Sequence, residues 1–188
     1  MIIGLTGGSG TGKSTVSDWF LKKGYKVIDG DKLSRELTVP GSPVLDKIIS
    51  TFGKEYLLPD GTLDRRALGG LIFTDDAARL TLNSILHPAI TDEVRKRIEN
   101  VENAVIEGAA IHECDIFKLC DKCIFVSCPG DIRIKRIMER DNLTFEYAKN
   151  RINSQKSDEY YRGVCDIEIV NDGNSESLEQ KLEDLKLD

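Results

Sequence analysis

The sequence predicts an α/β fold built on a parallel sheet with helices on both faces. Two observations predict it. Short apolar runs alternate with amphipathic helical stretches, the rhythm of βαβ units. A glycine-rich turn follows the first apolar run and opens the first helix, where such folds bind phosphate. The composition agrees: 188 residues, 40% hydrophobic and 31% charged, are the material of one ordinary globular core.

Residues 2–6 form a short apolar run that breaks into glycines, a buried strand. Val16, Trp19 and Phe20 then recur at helical spacing and give the following helix one apolar face. Lys22 and Lys23 in its last turn, with Gly24 behind them, mark its end. Residues 26–29, 104–107, 123–127 and 166–170 predict four further strands. Helical patterns lie between and after them, through Ile134, Ile137 and Met138 and through Leu178, Leu182 and Leu185. The long stretch from about residue 39 to residue 103 opens on Pro40-Gly41-Ser42-Pro43 and turns at Pro59-Asp60-Gly61. It is otherwise helical in pattern. A plain βα connection needs only about 2–6 residues, so this stretch predicts an inserted helical lobe in a core of 1–38 and 104–188.

The net charge of −6 argues against broad nucleic-acid binding, which normally carries a basic surplus. No apolar run approaches the roughly 20 residues needed to span a bilayer. The chain opens without a charged leader and apolar stretch, and its five cysteines are odd in number and irregular in spacing. The expectation is a cytoplasmic protein with free thiols and no membrane partner.

Gly7-Gly8-Ser9-Gly10-Thr11-Gly12-Lys13-Ser14 fits G-x-x-x-x-G-K-[ST], the phosphate loop of nucleoside triphosphate-binding proteins. Polyphosphate needs several backbone N–H groups aimed at one point, and glycines let the chain wrap that closely. Gly8, Gly10, Thr11, Gly12, Lys13, Ser14 and Thr15 are therefore the candidate ATP-binding residues. Lys13 is expected on the β- and γ-phosphates and the Ser14 hydroxyl on Mg²⁺, which accompanies ATP. The guanine and switch motifs Asn-Lys-x-Asp and Asp-x-x-Gly are absent, which turns the reading from GTPase to kinase.

Asp31, in Asp29-Gly30-Asp31, ends the second strand, where parallel sheets present residues to a ligand crevice. A carboxylate there can take the proton of an attacking hydroxyl or position that hydroxyl. It can equally cap a helix starting near Lys32. Spacing alone leaves both readings open. Glu107 closes the third strand and is a candidate to order Mg²⁺ and its waters. Residues 133–162 hold eight basic side chains against five acidic ones, a reversal of sign in an acidic chain. That stretch is a candidate lid able to neutralise a transferring phosphoryl group. Cys120-Asp121-Lys122-Cys123 has no second pair and predicts no zinc site.

These motifs together resemble the dephospho-CoA kinase family, over nearly the whole chain. The phosphate loop and Val27-Ile28-Asp29-Gly30-Asp31 are similar to that family's, with Gly30 where alanine is usual. Pro40-Gly41-Ser42-Pro43, Phe52-Gly53, the run from Asp60 to Arg65 and that from Leu82 to His87-Pro88 follow its inserted lobe. Arg151-Ile152 with Gln155 follows its lid, and Asn171-Asp172-Gly173 its adenine-side loop. Glu107-Gly108-Ala109-Ala110-Ile111-His112-Glu113 departs from the family's segment by lacking its proline and aromatic, which touches the acceptor wall.

The resemblance implies transfer of the ATP γ-phosphate to the ribose 3′-hydroxyl of dephospho-CoA. It implies Asp31 as base and Lys13 and Arg140 as charge stabilisers. It also implies Arg136, Asn171 and Gly173 on ATP, and Asp31, Arg35, Arg65, His87 and Glu113 on the acceptor. The implied sheet order is 2-3-1-4-5, with an acceptor lobe at about 39–103, a lid at about 140–162, and a monomer or small homo-oligomer. The residues read without the resemblance reach a P-loop kinase of small molecules. A nucleoside monophosphate or small-alcohol kinase and an ATP-binding regulator are the alternatives.

Overall fold

Five strands, β1 (Ile2–Thr6), β2 (Lys26–Asp29), β3 (Ala104–Glu107), β4 (Lys122–Ser127) and β5 (Ile167–Val170), form one sheet in the order β2-β3-β1-β4-β5. Every pairing is parallel. This computed structural model describes residues 1–108 and 111–187. The fold class and strand order are those expected. Two strand ends differ by a residue: β4 starts at Lys122, and β5 at Ile167 rather than at Asp166. The side chain of Asp166 accepts the Cys123 N–H at 2.7 Å, a side-chain bond at the mouth of the ladder.

Alternation along the strands divides the core between two faces. Ile3, Leu5, Val105, Ile124 and Val126 pack under α1 (Lys13–Lys22) and α9 (Ser175–Glu183), meeting Val16, Phe20, Leu178 and Leu182. Ile28 and Ile106 on the opposite face meet Leu33 of α2 (Gly30–Leu37) and Val94 of α5 (Asp76–Ile98). Each fully buried large side chain contributes about 1.5–3 kcal/mol, so these two layers hold the strand ends in place.

Residues between β2 and β3 form α2, α3 (Pro43–Phe52), α4 (Arg65–Thr74) and α5, the helical excursion expected. Leu45, Ile48, Leu63, Leu68, Leu82 and Ile85 make a cluster of their own there, separate from both sheet layers. Pro88 lies inside α5 and the helix continues through it. After β4 come α6 (Gly130–Asp141), α7 (Phe145–Asn153) and α8 (Asp158–Val164). Among the described residues, no helix is long and apolar enough to cross a membrane.

Candidate active site

The phosphate loop runs from the end of β1 into α1. Gly12 caps α1 in the left-handed region, at φ 90°, without a side-chain bond, and the first helical turn has no acidic residue. A Cβ at Gly12 would strike the Asn171 amide, so glycine is required there both by conformation and by space. The positive end of the α1 dipole is thus left for an external anion.

The loop is gripped from behind. Arg136 donates to the Gly10 carbonyl at 3.2 Å, and the Asn171 amide donates to the Thr11 carbonyl at 2.8 Å. Arg136 also donates to Asn171 Oδ1 at 3.2 Å, which ties α6 to the end of β5. Buried Arg133 donates to the Ser9 carbonyl at 3.0 Å, and Gln155 accepts the Ser9 N–H at 2.8 Å. With their carbonyls engaged outward, residues 9–11 keep the shape that presents loop amides to phosphate.

In front of the loop lies a cavity of about 950 Å³. Gly10, Gly12, Lys13, Ser14 and Thr15 line one side, Asp29, Asp31 and Glu107 another, and Arg136, Arg140 and Arg151 a third. The register of β2 on β3 sets Asp29 beside Glu107 at the carboxyl edge of the sheet, where open α/β sheets bind ligands.

Asp31 does not cap its helix. The helix α2 begins at Gly30, not near Lys32, and Asp29 is its cap, accepting from the Asp31 and Lys32 amides at 2.8 and 3.0 Å. Asp31 stands exposed on the cavity, in the first turn. The capping reading of Asp31 is thereby overturned: the duty falls on the residue two positions earlier, whose extended backbone suits a cap.

Lys13 donates to the Gly7 and Gly8 carbonyls at 2.8 and 3.2 Å. Burial lowers its pKa, against the pull of the Glu107 and Asp31 carboxylates. Burial raises the pKa of Glu107, opposed by the Ser17 hydroxyl that donates to it and by Lys13. Arg140 and Arg151 both pair with Asp141, at 2.8 and 2.7 Å.

The expected site residues therefore separate into groups. Lys13, Ser14, Thr15, Asp31, Glu107, Arg136 and Arg140 share one cavity with Gly10 and Gly12. Gly8, Thr11, Asn171 and Gly173 do not line it. Thr11 is buried with its hydroxyl on the Gly8 carbonyl at 2.9 Å, and the Gly173 N–H meets Asn171 Oδ1 at 3.4 Å, behind the loop. His87 and Glu113 line a second cavity of about 320 Å³ against α5, with Thr91 and Arg95. Glu113 also lines a third, of about 460 Å³, whose Ser154 and Gln155 belong to the phosphate-loop cavity as well. Arg65 donates to the Thr38 hydroxyl, and partial burial and the neighbouring Arg35 charge lower its pKa. Ala109 and Ala110, in the segment expected to touch the acceptor, lie outside the described residues.

Residues 1–177 match the family model for dephospho-CoA kinase (CoaE). The chain belongs to the dephospho-CoA kinase family. A dephospho-CoA kinase of Shouchella clausii is 36% identical over 189 residues, covering 98% of this chain and 96% of the relative. One of Moorella thermoacetica is 41% identical over 160 residues, 82% of this chain and 76% of that one. A solved structure from Thermus thermophilus superposes with a TM-score of 0.82 at 28% identity, covering 98% and 95% of the two chains.

Sequence reasoning missed Ser17, Asp29 as the cap, Arg133 as a loop brace, and Asp141. A signal existed for Arg133: with Arg136 and Arg140 it falls at i, i+3 and i+7, one face of a helix. Nothing in the sequence tells that this face meets a loop more than a hundred residues earlier.

Proposed function

We propose that the chain transfers the γ-phosphoryl group of ATP to the ribose 3′-hydroxyl of dephospho-CoA, giving CoA and ADP, with Asp31 as the base. One observation carries the role of Asp31. Of the two carboxylates at the start of α2, Asp29 is engaged as the cap, while Asp31 is exposed on the cavity that holds Lys13 and Ser14. A carboxylate in that place accepts the proton of an incoming hydroxyl as the oxygen attacks phosphorus.

Lys13, Arg136 and Arg140 offer positive charge to the triphosphate and to the equatorial oxygens of the transferring group. Loop amides and the α1 terminus bind the phosphates, while Asn171 and Gly173 serve ATP by holding the loop. The oxygen donors here, the Ser14 hydroxyl and the Glu107 carboxylate, suit Mg²⁺. No group of three His, Cys, Asp or Glu side chains among the described residues forms a cage. That fits an ion bound largely by substrate phosphates and water. Ser14 would hold Mg²⁺ directly and Glu107 through water. Bound there, the ion would neutralise negative charge on the triphosphate.

Residues 39–103 form the acceptor lobe in this reading, and residues 140–162 the lid. Glu113 receives the acceptor in the cavity that shares Ser154 and Gln155 with the catalytic one, and His87 in the cavity beyond it that Glu113 also lines. Arg35 and Arg65 offer it a paired positive charge. The catalytic cavity is built within one chain, so a monomer suffices, as does a small homo-oligomer. The reading places the protein in the cytoplasm.

The test is ADP release from ATP and Mg²⁺ with dephospho-CoA, AMP, CMP, pantothenate and shikimate as acceptors. Turnover is expected on dephospho-CoA and negligible on the rest. Preferential phosphorylation of AMP or CMP would remove the acceptor assignment and leave the ATP site standing.

A further inference from the structure

We propose that Asp141 is a positioning residue for phosphoryl transfer: its carboxylate fixes the guanidinium groups of Arg140 and Arg151 on the wall of the catalytic cavity. The inference rests on reading that cavity as a phosphoryl-transfer site. Arg140 lies in the last turn of α6 and Arg151 in that of α7, two helices joined by a short turn. Both side chains are long and about half exposed, at 58% and 47%. Unrestrained, each would sample many rotamers and meet the phosphate in only a few of them.

Asp141 removes that freedom from both at once. Its Oδ1 accepts from Arg140 Nε and its Oδ2 from the Arg140 terminal nitrogen, each at 2.8 Å. The same Oδ2 accepts from Arg151 at 2.7 Å. The two-point grip on Arg140 fixes the plane of the guanidinium as well as its place. Asp141 takes Arg140 by one edge, and a guanidinium has five N–H donors in all. The other edge of Arg140 and most donors of Arg151 are left for phosphate oxygens. The geometry is therefore one of presentation: the carboxylate orients two cations without consuming them. The Arg140 hydrogen bonds also hold the Asp141 carboxyl below the usual carboxylate range, so it remains ionised at neutral pH.

The experiment compares wild type with Asp141→Asn, Asp141→Glu, Arg140→Ala and Arg140→Ala/Asp141→Asn, measuring dephospho-CoA turnover and ADP binding by calorimetry. Asp141→Asn is expected to lower kcat at least about tenfold while ADP affinity stays within about threefold. Asp141→Glu should recover part of the loss, and the double variant should lose less than the product of the single losses, because both act through one guanidinium. Calorimetric stoichiometry gives the folded fraction. A loss explained by that fraction, an unchanged kcat in Asp141→Asn, or fully multiplicative losses would each overturn the proposal. Failure of the wild type on dephospho-CoA would instead count against the acceptor. The same series read by ATP hydrolysis, which needs the arginines but no acceptor, then decides the role of Asp141.

Discussion

Lys13 and Glu107 are less willing to be charged in the folded protein than in water, and burial is the leading cause for both. For Glu107 the folded pKa lies above the ordinary carboxyl value. Between the two values the native state binds more protons than the unfolded one, so stability falls as pH rises through that window. For Lys13 the folded pKa lies below 10.5. There the unfolded state binds more protons, and stability rises with pH up to the ordinary lysine value. Glu107→Gln should thus raise the melting temperature at pH 7 and lose that advantage near pH 4, while turnover falls. A gain of about 1 kcal/mol would read as roughly 2–4 °C in a chain of this length. A lower melting temperature at pH 7 would contradict it. Lys13→Ala should leave the fold intact and bring transfer below about a tenth of wild type, since a charge on the transferring phosphate supplies several kcal/mol. Asp31→Asn should reduce turnover about 10²-fold or more with ATP affinity little changed. Near-normal turnover would move the base to Asp29. Lys13 and Ser14 were legible in the sequence because the phosphate loop fixes their spacing to the glycines. Asp29 and Asp31 were not separable there, because either can stand at the start of a helix and only backbone conformation decides which one caps.

At the scale of elements, α2 and α6 show what the sequence could and could not tell. The apolar spacing of Ile134, Ile137 and Met138 announces α6, and α1 ends where Gly24 stops it. But α2 was expected only as a helix starting near Lys32, and the residue that starts it was misplaced. Asp29→Ala should cost about 1 kcal/mol in chemical denaturation, and Asp29→Asn almost nothing, since both residues cap about equally well. Equal losses for the two would mean that the charge of Asp29, not its cap, matters. In α6 the arginine face was present in the spacing of Arg133, Arg136 and Arg140. Its partners were hidden, because Arg133 reaches the Ser9 carbonyl across 124 positions of chain. The same blindness applies to Asn171, which resembled an adenine-side residue and proves to hold the Thr11 carbonyl. Its loss would remove the shorter of the bonds to that carbonyl and one of several that Arg136 makes, and a lost hydrogen bond costs about 0.5–1.5 kcal/mol. Asn171→Ala should therefore weaken ADP binding, measured by calorimetry, more than it slows the chemical step.

At the scale of the whole molecule, the sheet order was legible only through resemblance. Apolar runs announce strands but do not say which lie side by side, and βα periodicity permits several parallel orders. What periodicity did announce was the excursion of about 39–103, too long for a connection, and the structure gives that stretch its own core. Ile48 is fully buried among Leu45, Leu63, Leu68, Leu82 and Ile85, while Val16 is fully buried under the sheet beside the phosphate loop. Two cores that do not share side chains should transmit packing defects separately. Ile48→Val deletes one buried carbon and costs about 0.5–1.5 kcal/mol, and Val16→Ala deletes two and costs roughly twice that, so both are mild enough to leave a folded enzyme. If the excursion is the acceptor lobe, Ile48→Val should raise the KM for dephospho-CoA and leave ADP affinity where it was. Val16→Ala, in the helix that follows the phosphate loop, should weaken ADP binding. Steady-state kinetics with calorimetry on the two variants separates the effects. A change in ADP affinity in Ile48→Val as large as in Val16→Ala would mean that the two cores respond as one body, and the lobe could not then be assigned to the acceptor alone.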